Sequence, residues 1–114
     1  MKEIQDFVDE LKKSQKLIIV EGKKDKQALE KLGIKNIITL SKKPIFQVIE
    51  DISKKTKEVV ILTDLDRHGK ELFGKLNSGL SYHGVKVDNK FREFLFKETK
   101  LRQIEGLISY LNKQ

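Results

Sequence analysis

The feature that most constrains this chain is a regular change in the period of its apolar residues. Leu17-Ile18-Ile19-Val20 and Val59-Val60-Ile61-Leu62 are continuous runs of four, the pattern of strands covered on both faces. Ile37, Ile38 and Leu40 make another strand, and Val85 and Val87 a weak fourth. Between them the spacing turns helical. Ala28, Leu29 and Leu32 form a stripe that stops at Gly33. Ile45, Val48, Ile49 and Ile52 follow Pro44, a residue suited to a helix first turn. Leu72, Leu76 and Leu80 run from about Gly69 to Gly84. Ile4, Phe7, Val8 and Leu11 open the chain with a helix; Phe91, Phe94 and Leu95, then Ile104, Leu107, Ile108 and Leu111, close it with two more. Buried strands alternating with helices imply an α/β fold, a mainly parallel four-stranded sheet between helix layers with extra terminal helices. One domain is expected over 1–114: an N-terminal helix at 1–14, strand–helix repeats over 15–88 and C-terminal helices over 89–114.

Composition narrows the chemistry. With no Cys in 114 residues, zinc ribbons, thiol nucleophiles and thiol redox chemistry are excluded, and any metal must be held by oxygen. No apolar run approaches the roughly 20 residues of a membrane span, and no signal-peptide pattern opens the chain, so a soluble, cytoplasmic protein is expected. The net charge of +7 comes from 21 Lys and 3 Arg against 17 acidic residues. Such a balance fits either the Lys-rich surface of a heat-adapted protein or a phosphate-rich partner such as nucleic acid.

Ligands of an open parallel sheet gather at the carboxyl ends of its strands. The first strand ends in Glu21-Gly22 and the third in Asp64-Leu65-Asp66-Arg67-His68-Gly69. Asp64 and Asp66, two apart, project to one side if the chain is extended there. If the first and third strands are neighbours, Glu21 joins them and three carboxylates meet within a few ångströms. Such a cluster needs a neutralising partner, and Mg²⁺ meets that need with few carboxylates plus water and phosphate. The alternative is that the two aspartates cap the following helix.

LIIVEGKKD followed by VVILTDLDRHGKEL resembles the toprim domain shared by type IA topoisomerases, bacterial-type primases, 5S ribosomal RNA maturation nucleases and recombination proteins. The glutamate-glycine and the D-x-D are its two motifs, and the likeness spans nearly the whole chain. The resemblance implies a Rossmann-like three-layer α/β/α toprim fold. It also implies Mg²⁺, with Mn²⁺ as a substitute, on Asp64 and Asp66, with Glu21 as general acid/base or a further ligand. TDLDRHG is closest to the topoisomerase form T-D-P-D-R-E-G. Leu65 in place of proline leaves the metal site intact, whereas His68 in place of an acidic residue puts a second metal in doubt. The size and the closing QIEGL look more like small stand-alone archaeal toprim proteins.

Cations follow each strand: Lys23 and Lys24 the first, Lys42 and Lys43 the second, Arg67 and Lys70 the third. A basic rim around an acidic site suits phosphodiester chemistry, with cations on the backbone while metal polarises the scissile phosphate. The run Lys54–Lys57 falls at the opposite edge and reads as solvated surface. His68 is a candidate proton carrier, or a helix-start residue facing solvent or phosphate. Asp88 could reach the rim but suits a turn, Glu105 reads as a surface residue, and Tyr82 and Tyr110 as packing residues. The six Phe show no paired-aromatic platform for bases. The expected function is a Mg²⁺-dependent phosphodiester enzyme, a nuclease on RNA or structured nucleic acid, RNA being favoured over DNA. The alternative is a non-catalytic nucleic-acid-binding subunit of a larger processing complex. A receiver-like signalling domain lacks its acidic pair near strand one and its lysine after a fifth strand. Primase activity and strand passage lack their further domains.

Overall fold

Parallel strand pairing, with the side chains of the first three strands split between two cores, sets the architecture. The computed structural model describes residues 1–41 and 43–114. In chain order the elements are α1 (Ile4–Ser14), β1 (Leu17–Val20), α2 (Lys23–Lys31), β2 (Ile37–Thr39), α3 (Ile45–Lys55), β3 (Glu58–Ile61), α4 (Arg67–Tyr82), β4 (Lys86–Val87), α5 (Lys90–Glu98), a 3-10 turn (Ile104–Gly106) and α6 (Leu107–Asn112). The sheet runs β2-β1-β3-β4, and all three pairings are parallel.

Successive strand residues point to opposite faces, and each face has its own apolar cluster. Ile18, Val20, Val60 and Leu62 pack with Phe7 and Leu11 of α1, Leu29 of α2, Phe91 and Leu95 of α5, and Leu107 of α6. Leu17, Ile19, Val59 and Ile61 pack with Ile49 and Ile52 of α3 and Leu76 and Leu80 of α4. The result is the expected three-layer α/β/α arrangement. The terminal helices are locked together by Phe7, which meets Phe91 edge-on at 5.9 Å and stacks on Phe94 at 6.0 Å; such pairs contribute about 0.5–1.5 kcal/mol beyond burial.

Three local departures from the sequence reading bear on the site. The third strand is displaced by one residue, to Glu58–Ile61. The helix after it begins at Arg67, two residues before Gly69, because the Asp66 carboxylate accepts from the Gly69 N–H as N-cap. Helix α2 begins immediately after Gly22, so Lys23 and Lys24 form its first turn and do not lie in a loop.

With order β2-β1-β3-β4, the chain leaves β1 toward α2 on one face and leaves β3 toward α4 on the other. The crevice between those two exits is the topological switch point of the sheet, where ligands of such folds bind.

Candidate metal and phosphate site

Glu21 leaves the end of β1 and Asp64 and Asp66 leave the end of β3. The two strands are neighbours, Ile19 lying opposite Ile61, so Glu21 does come beside the aspartates. The contact is direct: the Asp64 N–H donates to Glu21 Oε2 at 2.7 Å. Asp64 Oδ1 accepts from the Ile104 N–H at 2.9 Å, and Asp66 Oδ1 accepts from the Gly69 N–H at 2.8 Å. All three carboxylates are half-buried. Each commits one oxygen to a backbone N–H and leaves the other without a hydrogen-bond partner among the described residues.

The expected trio within a few ångströms is not preformed. Among the described residues, no three His, Asp or Glu side chains stand close enough to hold a metal ion together. The physical reason is visible in the backbone: past β3 the chain turns into α4, Asp66 is drawn to its helix and Asp64 to the 3-10 turn. Helix capping, one of the two readings of the aspartates, therefore describes Asp66 Oδ1. The donor set nonetheless fits a hard cation. It is entirely oxygen, and one oxygen per carboxylate remains for a ligand.

Charge accumulates here without full compensation. Burial raises the Glu21 carboxyl above its usual range against the hydrogen bond from Asp64, and the nearby Asp64 charge adds to the rise. Asp64 is likewise raised, chiefly by burial, with Asp66 and Glu105 adding to it. One cation is built into the floor: an Arg92 Nη donates to the Asp64 carbonyl oxygen at 2.6 Å, and its guanidinium carbon lies 4.7 Å from the centre of the Phe73 ring.

Of the predicted cations, Lys23 and Lys24 are exposed on the first turn of α2 and Arg67 is exposed on that of α4. Arg67 approaches Glu71 at 3.7 Å. Lys70, one turn on, places its ammonium 4.7 Å from the centre of the Phe96 ring. Lys43 turns toward Asp51 of α3 at 3.5 Å, and Lys42 lies outside the described residues. His68 is exposed, near enough to Glu21 that its charge favours the ionised carboxylate. Asp88 does not reach the site: it accepts from the Lys16 ammonium at 2.7 Å, and Lys16 also approaches Glu58 at 3.3 Å. Tyr110 packs against the core, but Tyr82 is 87% exposed and is not a packing residue.

Two residues of the site, Asp25 and Arg92, escaped the sequence reading, and the influence of a third, Glu105, was not foreseen. Asp25 is buried, accepts from the Gly22 N–H at 3.0 Å, and has its carboxyl pushed up to about 6, first by burial and further by Asp64, Glu21 and Glu105. Its signal was G-x-x-D at a helix start, a capping spacing. Glu105 is a surface residue as expected, yet its charge is felt by both Asp64 and Asp25. Arg92 gave no local signal, being 28 residues from Asp64.

An acidic switch-point site in a three-layer parallel α/β domain, with its glutamate-glycine after β1 and its D-x-D after β3, defines a class of metal-binding nucleic-acid domains. The chain belongs to the Toprim domain family, which it matches over residues 16–88. Domains of this family bind divalent metal, generally Mg²⁺, and are associated with nucleic acids. The chain is 39% identical to a UPF0292 protein of Methanocaldococcus jannaschii, over 96% of this chain and 90% of that one. It is 42% identical to a UPF0292 protein of Pyrococcus abyssi, over 93% and 80%. A solved structure of a protein from Aquifex aeolicus superposes with a TM-score of 0.85 at 40% identity, covering 92% of this chain and 98% of that one. The crystal structure of the zinc-binding and RNA polymerase domains of the Aquifex aeolicus primase superposes with a TM-score of 0.58 at 28% identity, covering 93% of this chain and 27% of that chain. No helix among the described residues is long and apolar enough to cross a membrane.

Proposed function

We propose that this protein is a Mg²⁺-dependent nuclease acting on RNA or structured nucleic acid. The observation that carries the reading is the shared arrangement of Glu21, Asp64 and Asp66: each is oriented by a backbone N–H and keeps one carboxylate oxygen for a ligand. Drawn together, those three oxygens would hold the cation, which would supply Lewis-acid polarisation of the phosphodiester and so favour attack at phosphorus. Mn²⁺ would substitute.

Glu21 takes the proton of the attacking water or returns one to the leaving oxygen. Its raised pKa suits that exchange better than an ordinary carboxylate would. Where Glu21 takes the water's proton, a protonated His68 at the start of α4 would give one to the leaving oxygen as the P–O bond breaks, and both groups then exchange protons with solvent. Arg92 holds the Asp64 carbonyl and so fixes the D-x-D turn.

Lys23 and Lys24 on α2 and Arg67 on α4 put positive charge on the first turns of two helices. That placement is unfavourable against the helix dipole, typically by about 0.3–1 kcal/mol per charge. A bound phosphate is attracted both by these cations and by the helix N-termini and so offsets this cost, which supports a polyanionic substrate at this rim.

The test is cleavage of an RNA panel with Mg²⁺ or Mn²⁺, comparing the wild type with Asp64→Asn plus Asp66→Asn. Metal-dependent cleavage that falls at least about a hundredfold in the double variant is the expected outcome; cleavage that persists there means the site is misassigned. A second reading, a non-catalytic nucleic-acid-binding subunit of a processing complex, is favoured by the absence of a preformed carboxylate trio among the described residues. Salt-dependent RNA binding without turnover under any divalent metal would select it.

A further inference from the structure

The six Phe, read from sequence, show no paired-aromatic platform for bases, but a single exposed ring, that of Phe96, stands beside the D-x-D turn. Phe96 of α5 is 42% exposed. Its ring has the Lys70 ammonium 4.7 Å from its centre and the Arg102 guanidinium carbon 5.5 Å from it, both within cation–π range. Isolated exposed apolar residues are ordinary, and Phe46, 66% exposed, has no cation over its ring among the described residues. Phe96 differs in its connections. The Lys70 N–H donates to the Asp66 carbonyl at 2.9 Å, and the Leu65 N–H donates to the Arg102 carbonyl at 2.8 Å. The backbones of the two residues whose cations lie over the ring are therefore bonded to the turn carrying the candidate metal ligands. Beside the ring, a cleft of about 310 Å³ between α4 and α5 carries Lys70, Arg92 and Lys97 against one carboxylate, Glu93.

We propose that Phe96 stacks a nucleobase of a single-stranded segment, which displaces a cation from its ring, while Lys70, Lys97 and Arg102 take the adjoining phosphates. The inference rests on the nucleic-acid reading above and makes it more specific, because a stacking ring needs an unpaired base. Stacking on a side-chain ring tolerates any base, and phosphate contacts give no sequence information. The platform therefore selects single-stranded character and not a sequence.

The chain contains no Trp, so Phe96→Trp introduces the sole indole of the protein at the proposed platform. Titrated in EDTA, where no metal-dependent turnover occurs, its fluorescence should be quenched by a short oligoadenylate and not by an abasic ribose-phosphate oligomer of equal length. Binding of labelled oligoadenylate should weaken at least about tenfold in Phe96→Ala, and equally in Phe96→Leu, which keeps apolar bulk but no ring; both variants should melt close to the wild type. Equal quenching by the abasic oligomer, or unchanged affinity in the Ala and Leu variants, overturns the platform while leaving the nuclease reading standing. A wild type that binds neither oligoadenylate nor a structured RNA overturns both.

Discussion

Asp25 shows what a single residue contributes to this site. Its carboxyl sits at about 6 instead of 3.8, so the folded state binds its proton more tightly than the unfolded state does. That contribution is fully present below about pH 4 and is lost as pH rises through 6. Asp25→Asn keeps an oxygen for the Gly22 N–H and removes the charge. In EDTA, chemical denaturation should show the variant more stable than the wild type by on the order of 2 kcal/mol at about pH 8, and equal to it at about pH 3. A gain that did not change with pH would contradict this account. The residue was legible only as a helix cap, because its burial within reach of the Glu21 and Asp64 charges depends on how α2 docks. Arg92 was invisible for the same reason. The chain's only arginines, Arg67, Arg92 and Arg102, all lie at or beside the D-x-D turn, a concentration that emerges only once α4, α5 and the 3-10 turn are assembled.

At the scale of elements, the first turn of α4 decides whether the D-x-D turn can form. A Cβ on Gly69 would lie 1.9 Å from the Asp64 carbonyl oxygen, and neither backbone can yield, since the Thr63 hydroxyl also donates to the Gly69 carbonyl at 2.7 Å. A Cβ on Gly79 would meet only the side chain of Ile49, its Cδ1 at 2.3 Å and Cγ1 at 3.3 Å, and that side chain can turn. Gly69→Ala should therefore cost at least about 2 kcal/mol in thermal or chemical unfolding, and Gly79→Ala distinctly less, despite Ala being the better helix former at both positions. Comparable losses in the two variants would refute the close-approach argument. The same turn accounts for the two-residue error in the start of α4. Sequence periodicity marked where Leu72 begins the buried stripe, whereas the helix starts where Asp66 can cap it.

For the whole molecule, the +7 balance resolves into two surfaces. Lys54 and Lys55 close α3, where they complement its dipole, and Lys57 precedes β3 at the edge away from the carboxylates. Lys23, Lys24 and Arg67 lie at helix starts beside the carboxylates. Oligonucleotide binding measured across salt should separate them. Replacing Lys23, Lys24 and Arg67 by Gln should flatten the logarithmic salt dependence by about 0.7 for each single-strand phosphate that is no longer neutralised. The same replacement of Lys54, Lys55 and Lys57 should leave the slope unchanged. Equal effects from the two sets would reduce the basic rim to a general surface charge.

The sequence by itself determined the class of fold, the four strands and the identity of the acidic motif residues, because these depend on local periodicity and on what immediately follows each strand. Tertiary structure alone decided that β1 and β3 are neighbours and that α2 and α4 leave them on opposite faces. It also decided that Glu21 and Asp64 are each half-engaged by a backbone N–H, and that Phe96 stands exposed beside the site with the Lys70 ammonium over its ring. Those features join residues tens of positions apart. Local pattern cannot encode such contacts, since they are fixed by how the apolar faces of separate elements find one another.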